Sequence, residues 1–92
     1  MASSSEAFAK FSTWRKRKTP LRVTVIVGGK TDAVLEGSII ATDPDAELLS
    51  VTTGMHRWQN FNVEGSMFSV EDSKVVATRD ESDWLVFEEL PS

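Results

Sequence analysis

The spacing of apolar residues changes period once along this chain, at Thr19-Pro20, and that change limits the architectures open to it. Before it, Ala7, Phe11, Trp14 and Lys18 recur at spacings of four, three and four, with Phe8 beside them; this is the pattern of one helix face. After it, Leu21, Val23, Val25 and Val27 alternate with Arg22, Thr24 and Ile26, the period of a strand with one buried face. Pro20 disfavours helix in the residue before it, so the helix must stop there. Ser3 to Glu6 fits a capping box at the helix start. Arg15, Lys16, Arg17 and Lys18 fall in its last turn, where the helix dipole is negative.

Beyond Gly28-Gly29 the period stays at two. A second strand is expected from Ala33 to Thr42, with Ala33, Leu35, Ile39 and Ala41 on one face and Gly37 in the middle. A glycine inside a strand marks a tight bend, which a long strand needs if it is to curl around a small barrel. Further strands are expected from Leu48 to Thr53, Arg57 to Val63, Ser66 to Val70, Val75 to Thr78 and Trp84 to Glu88, separated by Asp43-Pro44-Asp45, Gly54, Gly65 and the charged turn from Arg79 to Asp83. One helix followed by short, strongly bent strands predicts a mainly β fold: an N-terminal helix, a small five-stranded SH3-like barrel, and extra C-terminal strand or strands. An OB-like barrel competes with it. The expected organisation is a single domain over 1–92, with the helix at 1–18, the barrel core at 20–70 and a C-terminal strand extension at 71–92. Trp84 and Val86, with Leu85 and Phe87 on the opposite face, make that last strand apolar enough to cap the barrel or to add to a neighbour's sheet.

Ninety-two residues are too few for two independent cores. A domain of this size buries only about 60–65% of the surface its unfolded chain exposes, so oligomerisation is a natural supplement to its stability. The absence of cysteine removes disulfides and thiolate zinc sites and fits a reducing, cytoplasmic setting. The first residues lack the basic-then-apolar pattern of a secretory signal, and no apolar run approaches ~18 residues, so no membrane partner is expected.

The formal net charge of -4 conceals an uneven distribution. Residues 1–18 carry five cations against Glu6, a net +4, while the remainder carries five basic and thirteen acidic residues, a net -8. Arg15, Lys16, Arg17 and Lys18 therefore offer a face for RNA or single-stranded nucleic acid, or for the acidic body of the same or a neighbouring subunit.

Over residues 20–70 the chain resembles the Sm-like family. The first motif of that family is matched by Val23-x-Val25-x-Val27, then Gly37-Ser38-Ile39-Ile40-Ala41-Thr42-Asp43, then Leu48-Leu49-Ser50-Val51. The second is similar to Val63-Glu64-Gly65-Ser66-Met67-Phe68, and a helix before the first strand agrees with the fold. The resemblance implies a ring in which the fifth strand of one subunit pairs with the fourth strand of the next, with Met67 and Phe68 at the interface. It also implies pore positions at Asp43, Asp45, Glu47, Glu64 and Gly65. Where the family binds uridine-rich RNA it commonly places an aromatic residue, an asparagine and an arginine; Asp45, Glu47 and Glu64 stand there instead. A base loses its stacking surface, its amide donor and its cation, and converging carboxylates repel phosphate.

No residue pattern points to catalysis, and neither enzymatic activity nor a cofactor is expected. Gly29-Lys30-Thr31 ends like a phosphate-binding loop, but Thr24 occupies the position where such a loop needs glycine. His56 is the single histidine, with no cysteine to activate and no zinc partner. Asp43, Asp45 and Glu47 alternate along a turn and make a candidate calcium-binding or protein-docking module, although the glycine of a calcium loop is missing. Trp58, Phe61 and Phe68 near Arg57 suggest either a stacking surface for single-stranded nucleic acid or core and interface packing, the latter favoured for aromatics in strands. The expectation that follows is a non-enzymatic Sm-like barrel forming a homo-oligomeric ring or other closed assembly.

Overall fold

A computed structural model describes residues 2–54 and 56–91. Helix α1 (Ser4–Arg17) begins at Ser3, whose side chain accepts a hydrogen bond from the Glu6 amide at 3.2 Å. The Ser3 hydroxyl also reaches Glu6 Oε1 at 3.5 Å, so the capping pair closes through the hydroxyl. Lys18 caps the other end in the left-handed region (φ 53°), with the Lys18 amide donating to Arg15 and the Thr19 amide to Trp14. The expected stripe is the buried face: Ala7, Phe8, Phe11 and Trp14 are all buried.

Among the described residues seven strands follow: β1 (Leu21–Val27), β2 (Lys30–Asp43), β3 (Leu48–Gly54), β4 (Arg57–Asn62), β5 (Met67–Val70), β6 (Lys74–Thr78) and β7 (Trp84–Glu89). They form one antiparallel sheet in the order β4-β3-β2-β1-β7-β6-β5. Alternation sets which side chains enter the core. Leu21 and Val23 of β1, Leu49 and Val51 of β3, Val75 and Ala77 of β6, and Phe87 of β7 are buried, while their neighbours face outward. Aromatic rings link the helix to this face: Phe11 meets Phe87 edge-on at 5.0 Å between centroids, and Phe87 meets Phe61 of β4 at 5.8 Å. Such pairs add about 0.5–1.5 kcal/mol each beyond the burial of their area.

β2 serves both halves of the sheet. Its first part, up to Gly37, pairs with β1, and its second part, from Ser38, pairs with β3. Gly37 sits at the change-over because no side chain fits there: a Cβ would lie 1.8 Å from the Thr52 carbonyl oxygen. The expected face of this strand is correct up to Ile39, which is buried, but Ala41 is exposed. The pairing runs Ile39 to Val51 and then Ala41 to Ser50. Ile40 is therefore the extra residue of a bulge, and the phase inverts beyond it.

The expected closed five-stranded barrel is not formed. The sheet has seven strands and is open, with β4 and β5 as its two edges. The strands of residues 71–91, β6 and β7, lie in the same sheet as those before them. β7 pairs with β1 from Leu21 opposite Glu89 to Ile26 opposite Trp84, and β6 joins it to β5. The reason lies in the sequence of β7, whose Leu85 and Phe87 supply an apolar face long enough to match β1, whereas β5 has only four residues.

Candidate functional site

The candidate residues fall in three regions of the fold. The first is the pair of sheet edges. On β4, Arg57, Trp58, Gln59, Asn60 and Asn62 are exposed, and among the described residues Trp58 is the most exposed large apolar side chain, at 62%. Phe61, next along, is buried opposite Leu49. The proposed stacking trio is thus divided: Phe61 and Phe68 belong to the core, and only Trp58 faces outward. On β5 the same division separates the two interface candidates, since Met67 is 53% exposed and Phe68 only 4%. The Phe68 side chain is a core residue and cannot contact a neighbour; what it offers at the edge is backbone. One bond already occupies that edge, from the Ala2 amide to the Phe68 carbonyl at 2.9 Å. No hydrogen bond joins β4 to β5 within the chain among the described residues, so both edges carry backbone groups with no strand beside them.

The second region is acidic. The turn between β2 and β3 contains Asp43, Asp45 and Glu47, and the turn between β4 and β5 contains Glu64 and Gly65. Because Leu48 pairs with Asn62, these turns lie side by side, and the Val63 amide donates to the Glu47 carbonyl at 2.9 Å. Asp43 turns back to accept from the Ala46 amide at 3.2 Å, and the Glu64 amide donates to Asn62 Oδ1 at 2.9 Å. The implied pore positions are therefore brought together. The calcium expectation is not supported by this geometry: among the described residues no group of three or more His, Asp or Glu side chains converges to hold a metal ion. Glu47 holds a left-handed backbone at φ 52° and Gly65 one at φ 77°, a conformation uncommon for a glutamate.

The third region is the end of α1. Arg15, Lys16, Arg17 and Lys18 are all exposed. The ion pairs among the described residues lie elsewhere, between Arg22 and Glu36 at 3.2 Å, Arg22 and Glu88 at 4.0 Å, and Lys74 and Glu71 at 3.4 Å. The helix is tied down instead by Lys10, whose ammonium donates to the Asp72 carbonyl and lies 5.5 Å from the Trp14 ring. No helix among the described residues is long and apolar enough to cross a membrane.

Two features of the molecule escaped the sequence. The turn from Arg79 to Asp83 is organised by Asp80, whose carboxylate accepts from the amides of Ser82 and Asp83 and from the Ser82 hydroxyl. The Ser82 amide, followed by its hydroxyl, holds the Asp80 carboxyl below the usual carboxylate range. Where the open sheet leaves a gap, a cleft of about 180 Å³ lies between Val25, Leu85 and Arg79 on one side and Asn62 and Ser66 on the other; it is smaller than the ~300–1,000 Å³ of ordinary ligand pockets. The cleft depends on residues far apart in sequence, whereas the Asp80 bonds span only two or three residues. Compared with family models, with curated proteins and with solved structures, the chain matches none.

Proposed function

We propose that this chain is a non-enzymatic, Sm-like assembly module whose copies join edge to edge, β5 of one against β4 of the next, into a homo-oligomeric ring or other closed assembly. The observation that carries the reading is the strand order: the two free edges are β4 and β5, the same two strands that the family resemblance uses between subunits. Edge strands with unpaired backbone groups are templates for adding another strand. Among the described residues, the bond of Ala2 is the one a neighbouring β4 would displace on β5. The left-handed Glu47 adds support, because asparagine, the residue the resemblance implies there, tolerates that backbone best. In a closed assembly Asp43, Asp45, Glu47 and Glu64 of every copy gather as an acidic ring that repels phosphate. Introducing Trp58→Glu and Met67→Glu together puts two carboxylates across the junction from each other. Both side chains are exposed, so the fold survives and the oligomer dissociates in sedimentation velocity; an unchanged oligomer mass refutes edge pairing.

A second reading is favoured by the four consecutive exposed cations of α1: RNA binding through Arg15, Lys16, Arg17 and Lys18, away from the acidic turns. Neutralising the four then abolishes binding and its salt dependence, and retained binding with the same salt slope refutes it.

A further inference from the structure

The outer face of the sheet has an order of its own, independent of the edges. Arg22 stands opposite Glu36 on β2 and opposite Glu88 on β7, and Glu88 stands opposite Lys74 on β6. Across four adjacent strands the charges therefore read minus, plus, minus, plus. The next row inward along the strands is Val34, Thr24, Val86 and Val76, and the row after that centres on Ile26 and Trp84. These side chains alternate with the buried face and so project away from the core. Val34 is 52% exposed and Trp84, Val86, Val76 and Ile26 are partly exposed. An apolar patch bordered by a charged row is the usual mark of an interaction surface.

We infer that this face, on β2, β1, β7 and β6, docks a second copy of the chain about a two-fold axis that runs parallel to the strands between β1 and β7. Charge complementarity selects this axis. That rotation reverses each row and sets it against itself, so β1 faces the second copy's β7 and β2 faces its β6. Arg22 then meets Glu88 of the second copy, and Glu36 meets Lys74; every position in the charged row finds the opposite sign. The same operation sets Val34 against Val76, and Ile26 against Trp84. A two-fold interface has to be self-complementary in this way. Rotation about an axis perpendicular to the strands, running along the charged row, sets each of those charges against its own sign and is rejected.

Aligned sheets pack with their strands about 30° apart, which displaces the outermost strands most and those beside the axis least. Arg22 and Glu88 lie on the two central strands and so dominate the contact. Four strands at ~4.8 Å spacing and three rows along them cover a patch about 20 Å square, on the order of 400–500 Å² per copy. Counted over both copies this approaches the ~1,000 Å² at the lower limit of specific interfaces, so the dimer is weak and its population depends on concentration.

The contact is tested by charge exchange. Arg22→Glu alone sets two carboxylates against each other across the axis, and Glu88→Arg alone sets two cations. Each variant weakens self-association about tenfold or more, because opposed like charges at an interface are costly. Mixed together, the Arg22→Glu chain and the Glu88→Arg chain restore both pairs, and native mass spectrometry shows a dimer containing one of each. Arg22 and Glu88 side chains are 43% and 37% exposed, so both variants stay folded, which thermal melting verifies. Carrying out the exchange in the Trp58→Glu, Met67→Glu background separates this contact from edge pairing, since those two positions lie outside the four-strand patch. Dimers of either single variant as abundant as those of the unmodified chain, or a mixture that yields no mixed dimer, overturn the inference.

Discussion

Alanine at position 37 places a methyl carbon 1.8 Å from the Thr52 carbonyl oxygen, 2.8 Å from the Thr52 carbonyl carbon and 3.3 Å from the Thr53 Cα. The first distance is about half an ordinary ~3.5–4.0 Å contact. None of these atoms belongs to a side chain that can rotate away, so β2 and β3 must separate by at least about 1 Å where Ser38 pairs with Thr52. Overpacking costs about 1–3 kcal/mol when side chains can adjust. Here the backbone ladder gives way as well, adding about 1 kcal/mol per weakened hydrogen bond, and the expected loss is about 3–5 kcal/mol. At about 4–8 °C per kcal/mol for a chain of this length, Gly37→Ala melts roughly 12–40 °C lower. Circular dichroism melts of the two proteins measure this. Gly65→Ala is the control: apart from its chain neighbours, no atom among the described residues lies within 4 Å of its Cβ position, so only the strain of φ 77° is felt, about 1–2 kcal/mol. Gly37→Ala melting as close to the unmodified chain as Gly65→Ala does would falsify the close approach of β2 to β3.

Four further perturbations address the helix and the turns. Phe11→Ala, which removes a ring buried between Phe8, Trp14 and Phe87, costs about 3–5 kcal/mol; Trp14→Phe costs no more than about 1 kcal/mol by urea denaturation, because the buried Trp14 Nε1 has no hydrogen-bond partner among the described residues. Glu47→Asn relieves the left-handed strain at φ 52° and raises stability by about 0.5–1 kcal/mol, read as a higher melting temperature. Asp80 has a carboxyl pKa lowered by the Ser82 and Asp83 bonds, so its contribution is present at neutral pH and lost as pH falls below about 4; the melting temperature of Asp80→Ala declines less steeply between pH 5 and pH 2 than that of the unmodified chain.

The helix and all seven strands can be found in the sequence within a few residues, because each buries one face and so writes its period into the chain: Ala7, Phe11 and Trp14 for α1, Leu21 and Val23 for β1, Leu49 and Val51 for β3. Strand order is another matter. Which strand lies beside β1 depends on whether β5 or β7 presents the longer matching apolar face, a competition between segments that no local period records. The bulge at Ile40 was hidden for a related reason: Ile39, Ile40 and Ala41 are all apolar, so nothing in the residues marks where the phase inverts. The acidic residues Asp43, Asp45, Glu47 and Glu64 were marked by the family resemblance alone, and the adjacency of their two turns follows from the Leu48 to Asn62 pairing. The division of Met67 from Phe68 needed only strict alternation along β5. The charged row of Glu36, Arg22, Glu88 and Lys74 was not legible, since its members come from four strands whose register only the fold defines.

Native mass spectrometry of the full chain, purified at low salt without nuclease, is the most direct measurement of edge-to-edge assembly, since one spectrum counts the subunits and weighs anything bound to them. The expected spectrum is a closed oligomer of a fixed number of copies, free of RNA, as an acidic ring of Asp43, Asp45, Glu47 and Glu64 requires. A monomer at every concentration contradicts assembly through β4 and β5, and an oligomer carrying RNA contradicts the rejection of phosphate and transfers the function to Arg15, Lys16, Arg17 and Lys18.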